Sequence, residues 1–323
     1  MKATLPKLLL CIVSLSAAST IVAAADSRSP RTAEERRKEW SYFFSSLLPT
    51  ALQSHPLLAI SVITEMTDEG KKLPPPTAEK PSYYIINSMG YQHRGHGVDD
   101  AGKVPEEDLQ RFIQSSFASR HYNLADKDHP ATLALFYFWG VHARLDKADL
   151  ETDMGGFRDV GHRNLLSRAQ LVGGTKFAKE FEAALIDRER ATVPGNAAPI
   201  GIDPVYMFSV RTELNRSLVD QILDDCYFVV VSAYDAGALA KGERKLLWRT
   251  KMSTPAQGLS ISETIPTLVS SGKSYFGREM NEPTIVDKRI NRKGTVGAGE
   301  LKVIEMDEPT AEKKPSDAPA GKK

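Results

Sequence analysis

The apolar positions of this chain switch repeatedly between a two-residue and a 3.6-residue period, and the switches outline an order of strands and helices. LLAISVITEMT (57–67) alternates through Ile60, Val62, Thr64 and Met66, which predicts a strand. SYYIINSM (from Ser82) reads as another strand. PEEDLQRFIQSSFA (105–118) follows as a helix with Leu109, Phe112, Ile113 and Phe117 on one side. TLALFYFWG (132–140) and CYFVVVSAYD (226–235) are apolar on both faces, the pattern of central strands covered above and below. Between them, helical spacing runs through 163–172 and 175–190, separated or kinked at Gly173-Gly174, and again through 213–224. KLLWRTKMS (245–253) sets Leu246, Trp248, Thr250 and Met252 against Leu247, Arg249 and Lys251. It predicts a hairpin partner for 226–235 that lies nearer the sheet edge. A closing helix at 261–276 opens on a capping box of Ser260 and Glu263 and ends at Gly277, with Pro266 bending its early turns.

Helical crossovers between buried strands favour parallel pairing with right-handed connections. The expectation is therefore an α/β fold: a single domain over 57–280 with a mixed, partly parallel sheet flanked by helices. KKLPPPTAEKP is an extended connector stiffened by its prolines. In the N-terminal helical segment (26–56), Thr32 and Glu35 form a capping-box pattern. A helix over 33–48 then aligns Trp40, Phe43, Phe44, Leu47 and Leu48 to dock on the body. The segment 281–305 is extended, with a short strand at 301–306. The tail at 306–323 is Pro, Lys and acid without an aromatic residue, which predicts disorder.

Composition changes the picture at the N-terminus. Lys2 and Lys7, the apolar run Leu8 to Val22 and Ala23-Ala24-Ala25 have the layout of a secretory signal peptide over 1–25, giving an exported, periplasmic or secreted protein. Removing it takes the formal charge from +1 to −1, because two lysines leave, so no basic field points to nucleic acid. Cys226 becomes the only cysteine, precluding an intramolecular disulfide, and its apolar setting predicts a core side chain.

Chemistry-bearing motifs are few. GKS (272–274) has Thr267 where a phosphate loop needs glycine, and VGGTK (172–176) lacks the spacing as well. G-x-S-x-G, H-E-x-x-H and paired cysteines are absent. NSMGYQHRGHGVDD (87–100) reads as a glycine-rich turn carrying His93, His96, Asp99 and Asp100. If the strands at 82–89, 132–139 and 226–235 are parallel, their carboxyl ends share one sheet edge, where open α/β sheets bind ligands. That edge would gather His93, His96 and Asp99 with His142, Asp146 and Asp235, a donor set suited to a divalent metal. MGGFRDVGHRN (154–164) offers a second possibility, an anion loop with Arg158, His162 and Arg163 at a helix start.

SHPLLAISVITEMTDEGKKLPPPTAEKPSYYI and DDCYFVVVSAYD through SSGKSYFGR resemble segments of an exported bacterial protein family without assigned activity. The second is also similar in outline to small α/β cell-envelope modules such as the TolB N-terminal domain. The resemblance implies an envelope location and a non-catalytic role, and it transfers no catalytic position. Sequence thus favours an exported, non-enzymatic envelope protein that binds a partner, either an envelope protein or a small ligand. No cofactor is expected on that reading. The alternative is a metal-dependent enzyme around His93 and His96.

Overall fold

A computed structural model describes residues 47–94, 104–144, 157–192 and 202–292. Leu48–Lys323 makes one compact unit, described below. The signal-peptide segment, most of the helix expected over 33–48, the strand expected at 301–306 and the tail lie outside the described residues. Leu47 and Leu48, expected at the end of that helix, are exposed.

Seven strands form one mixed sheet in the order β3-β2-β4-β5-β6-β1-β7. They are β1 (Leu57–Met66), β2 (Ser82–Arg94), β3 (Tyr122–Leu124), β4 (Leu133–His142), β5 (Cys226–Asp235), β6 (Leu246–Pro255) and β7 (Thr284–Arg289). Strands β2, β3 and β4 are mutually parallel, and every other pairing is antiparallel. The mixed α/β sheet is as expected, but the direction of β5 is not. It follows a chain segment of three helices, which returns it antiparallel beside β4. Apolar runs on both faces report burial of a strand and carry no sign for its direction.

The short helices α1 (Asp68–Lys71), α4 (Pro204–Ser209) and α6 (Ala236–Ala240) join longer ones: α2 (Glu106–Ala118), α3 (Phe157–Thr192), α5 (Glu213–Leu223) and α7 (Ile261–Gly272). Helices α2 and α7 cover one face of the sheet. Leu109, Ile113 and Phe117 of α2 and Ile265, Leu268 and Val269 of α7 are buried with Tyr137, Val229, Val231 and Met252. On the other face α3, α4 and α5 pack together through Phe177, Phe181, Phe208 and Leu218, and Leu171 reaches Cys226, Phe228 and Val230 of β5. Each fully buried Leu or Phe contributes roughly 1.5–3 kcal/mol, so both layers are firmly held.

The expected break at Gly173-Gly174 is present. Gly174 has φ 81° and ψ −178°, outside helical space, so α3 is two helices joined at a kink. A Cβ there would stand 3.1 Å from Ile63 and 3.3 Å from a Glu65 oxygen. Glu65 Oε1 instead accepts from Thr175 N–H at 2.6 Å, capping the second helix from the sheet, while Oε2 takes Lys251 Nζ at 2.7 Å. Burial pushes the Glu65 carboxyl up, and Lys251 and Thr175 outweigh it, so it titrates below its ordinary value.

Strand β6 pairs antiparallel with β5 and lies one place nearer the β7 edge, as expected. It is interior, flanked by β5 and β1, and Lys251 on it is only 6% exposed. Here Glu65 and the Gln170 carbonyl satisfy Lys251, and Arg249 Nε donates to Ser232 Oγ at 2.9 Å. The sheet also runs past residue 280, because β7 pairs with β1 inside the segment expected to be merely extended. The capping box is as expected: Ser260 and Glu263 exchange both bonds at the start of α7.

Candidate functional site

The opening half of NSMGYQHRGHGVDD is strand rather than turn. Strand β2 continues to Arg94, absorbing Gly90 (φ 78°) in an irregularity between Ser88 and Tyr91. His93 pairs with Val141 and Arg94 with His142. Partners in register share a face and neighbours along a strand alternate, so His93 and His142 project to opposite faces of the sheet. His93 is exposed and His142 is 2% exposed.

Asp235 lies at the far end of the sheet. In the antiparallel β4–β5 pair it sits opposite Leu133, whereas His142 sits opposite Cys226. Nine residue steps separate the two rows, roughly 30 Å at about 3.3 Å per residue. Asp235 also has a local task, since its Oδ1 accepts from Ala238 N–H at 2.8 Å and caps α6. The three described members of the expected metal set are therefore held apart. His96, Asp99, Asp100 and Asp146 lie outside the described residues.

Among the anion-loop residues, Arg158 falls in the first turn of α3, whose side chains there are outside the described set. His162 sits within that helix with Nδ1 3.0 Å from Glu189 Oε1. Arg163 is exposed on the same helix and has an interaction partner. These positions are part of a helix and not of a loop at its mouth, because α3 begins at Phe157.

His142 is instead drawn into a buried polar group on the α3 face. Its Nε2 is 3.4 Å from Ser167 Oγ, and Cys226 Sγ donates to its carbonyl at 3.8 Å. Burial, reinforced by the Arg168 charge, lowers the His142 imidazole from the usual 6.5 to about 4. Burial raises the Cys226 thiol to about 11, so it is protonated and inert at neutral pH. The expectation of a core cysteine is met.

A cleft opens at the opposite end of the sheet, where β1 finishes and β3 begins. It encloses about 460 Å³, within the usual range for small-ligand sites. Beside it Thr67 starts α1 at the end of β1: its hydroxyl accepts from Gly70 N–H and donates to carbonyls of β6. From there Lys71, Leu73 and the prolines Pro75 and Pro76 line the rim, with Leu73 46% exposed. The facing wall comes from the α2–β3 turn. Its corner is His121, a non-glycine residue at φ 62°, flanked by Arg120 and Tyr122. Phe276, Gly277, Arg278 and Glu279, just after α7, complete the cleft.

An aromatic cluster stiffens the floor. Phe117 stacks on Phe276 at 4.4 Å, meets Tyr122 edge-on at 5.2 Å and stacks on Trp248 at 6.1 Å. Gly277 at φ 64° is required by close approach, because a Cβ there would lie 2.3 Å from Tyr122 Oη. Burial raises the Tyr122 phenol to about 12, keeping it neutral beside Arg120. Glu279 is spent locally, pairing with Lys71 at 3.1 Å and accepting from Met66 N–H at 2.6 Å. Arg120 and Arg278 make no ion pair among the described residues, so the mouth keeps two uncompensated cations above an apolar floor.

Sequence reasoning did not reach this cleft. PPP was legible as a stiff connector, but its neighbours Leu73, Arg120, Tyr122 and Arg278 come from four separate chain segments. A local signal existed for Arg168, which falls on the apolar stripe of Leu165, Ala169 and Val172, where a solvated arginine is out of place.

No family model matches the chain, and no curated protein is similar to it in sequence. Among solved structures it is similar to a PDZ domain protein from Parabacteroides distasonis at TM-score 0.32 and 8% identity, over 77% of this chain and 42% of that one. The chain thus spans less than half the length of that protein, and so faint a likeness carries no argument. What is established is the class: an α/β protein built on one mixed seven-stranded sheet.

Proposed function

We propose that this is an exported, non-enzymatic α/β protein of the bacterial envelope that acts by binding, and that the cleft beside Tyr122 is where it binds. The export reading rests on the signal-peptide layout of residues 1–25 and on the resemblance to exported bacterial proteins. The binding reading rests on one observation, the cleft of about 460 Å³ with an apolar aromatic floor and free Arg120 and Arg278 at its mouth. Its occupant is a small amphipathic anion: an apolar or aromatic body against Leu73, Pro76 and Phe276, with an acidic group held by the arginines. A volume of this size is that of a small-molecule site. For the alternative, a metal-dependent enzyme at His93 and His96, the described members of the donor set stand at two ends and on two faces of the sheet, while His96, Asp99 and Asp146 lie outside the described residues.

The probe is anilinonaphthalene sulfonate, an aromatic body carrying one anionic group. The native protein should enhance its fluorescence saturably at one site, with affinity falling as salt rises. An Arg120→Gln/Arg278→Gln variant of unchanged melting temperature should lose at least tenfold in affinity. Equal affinity in that variant, or an acidic peptide binding there more tightly than any small anion, would overturn the assignment.

A further inference from the structure

Arg168 is 1% exposed, and it is the largest fully buried side chain of the described structure. Its Nε and Nη2 donate to no acceptor among the described residues. A guanidinium cannot escape burial by losing its proton, although burial does lower its affinity for it. An unpaired buried cation costs several kcal/mol by general rule. The pattern of the unmet donors matters more than their number. Nε–H and the Nη2 amino group share one edge of the guanidinium plane, the edge that grips two oxygens of a carboxylate or phosphate side by side.

The surroundings carry the same sign. Arg94 at the end of β2 lies 5.9 Å over the Phe138 and Phe228 rings, and its charge reaches His142. Arg144, just past β4, acts on Arg168 as a like charge. Beside the Cys226 sulfur, Asp225 and Asp224 act on Arg168 as opposing charges. Asp225 is already engaged, accepting from Arg144 N–H at 2.7 Å. Three guanidiniums thus converge against two carboxylates at the ends of β4 and β5.

We infer that Arg168 is the anchor of a second ligand site, for a small oxyanion that bridges its Nε and Nη2 at the His142 end of the sheet. The site is independent of the Tyr122 cleft: Tyr122 pairs with Ser82, two rows beyond the Tyr84–Leu133 row, which puts it eleven rows from His142, roughly 36 Å at about 3.3 Å per residue. The ligand chemistry is that of two coplanar oxygens bearing negative charge, a phosphate or a carboxylate. Anion and arginine satisfy one another, so the site's stability in the free and the bound protein should differ measurably.

The test is thermal melting of the full protein with inorganic phosphate or acetate against chloride at equal ionic strength, with phosphorus NMR to follow phosphate directly. One of the two oxyanions should raise the melting temperature saturably, by about 5 °C or more at a hundredfold excess over Kd, and which one does so names the ligand class. Arg120→Gln/Arg278→Gln should respond like wild type, which separates this site from the cleft. Arg168→Met should abolish the response while melting in chloride no lower than wild type, because it removes an unpaired buried charge. Arg168→Lys keeps the charge without the fork and should lose at least tenfold in affinity, which decides the matter even if Arg168→Met does not fold. An undiminished response in either Arg168 variant would mark binding elsewhere and overturn the inference. So would no response to either anion, or an Arg168→Met protein that folds but melts far below wild type in chloride.

Discussion

Acid should destabilise this protein through one histidine before its carboxylates begin to protonate. His142 is held at about 4 against an ordinary 6.5. In the unfolded chain the imidazole takes up its proton near 6.5, while in the folded protein it stays neutral until about 4. The unfolded state therefore binds more protons throughout that window, and stability falls as pH drops through it. Each unit of displacement is worth about 1.36 kcal/mol. Integrated from pH 7.5 to 4.5, the loss from His142 comes to about 2.5 kcal/mol. Glu65 and Glu263 act in the same direction, but both are held below 4.5, so most of their effect comes at lower pH. The assay is urea unfolding followed by tryptophan fluorescence at intervals of half a pH unit, for wild type and His142→Gln. The glutamine keeps a polar side chain of comparable reach and cannot titrate. The wild-type curve should fall below that of the variant by the amount above as pH drops from 7.5 to 4.5. Parallel curves would show that His142 does not titrate below its ordinary value, and the buried Arg168 environment would have to be redrawn.

Other outcomes follow from the same packing. Gly174→Ala should cost about 2 kcal/mol, since only glycine rests easily at φ 81°, ψ −178°; chemical denaturation measures it, and a neutral result would mean that α3 straightens there without penalty. Lys251→Met should cost about 2–3 kcal/mol, less than the 3–5 of a fully buried pair because the Glu65 side chain is 31% exposed. A double-mutant cycle with Glu65→Gln should show the two changes compensating one another; simple additivity would refute a coupled pair. Cys226, fully buried with its thiol at about 11, should resist a disulfide reagent in a chain lacking residues 1–25 until the protein unfolds; labelling within minutes under native conditions would contradict that burial.

The fold was legible to the extent that local pattern determines it. The runs at β1, β4, β5 and β6, the stripes of α2 and α5, the Ser260 cap and the glycine break in α3 are all properties of consecutive residues. Strand direction is not, because a run apolar on both faces fits either sense, and the metal edge was built on the wrong sense for β5. The burial of Lys251 was not legible for a related reason. A charged residue in a strand marks an edge unless a partner arrives from another strand, and Glu65 is 186 residues away. The strands β3 and β7, three and six residues long, are too short for a period to register. The cleft is tertiary throughout, since a turn, a proline rim and the exit of α7 meet only once the sheet has formed. Arg168 alone could have been found, as a cation on an apolar stripe.

The Tyr122 cleft should bind a small amphipathic anion. A nitrogen–proton NMR titration with 4-phenylbutyrate tests it most directly, because the ligand carries one carboxylate on an aromatic body and each amide reports its own position. Saturable shifts should concentrate at Leu73, Arg120, Tyr122, Gly277 and Arg278 and vanish in Arg120→Gln/Arg278→Gln. No saturable shifts at all, or saturable shifts confined to the ends of β2 and β4 around His93 and His142, would contradict it.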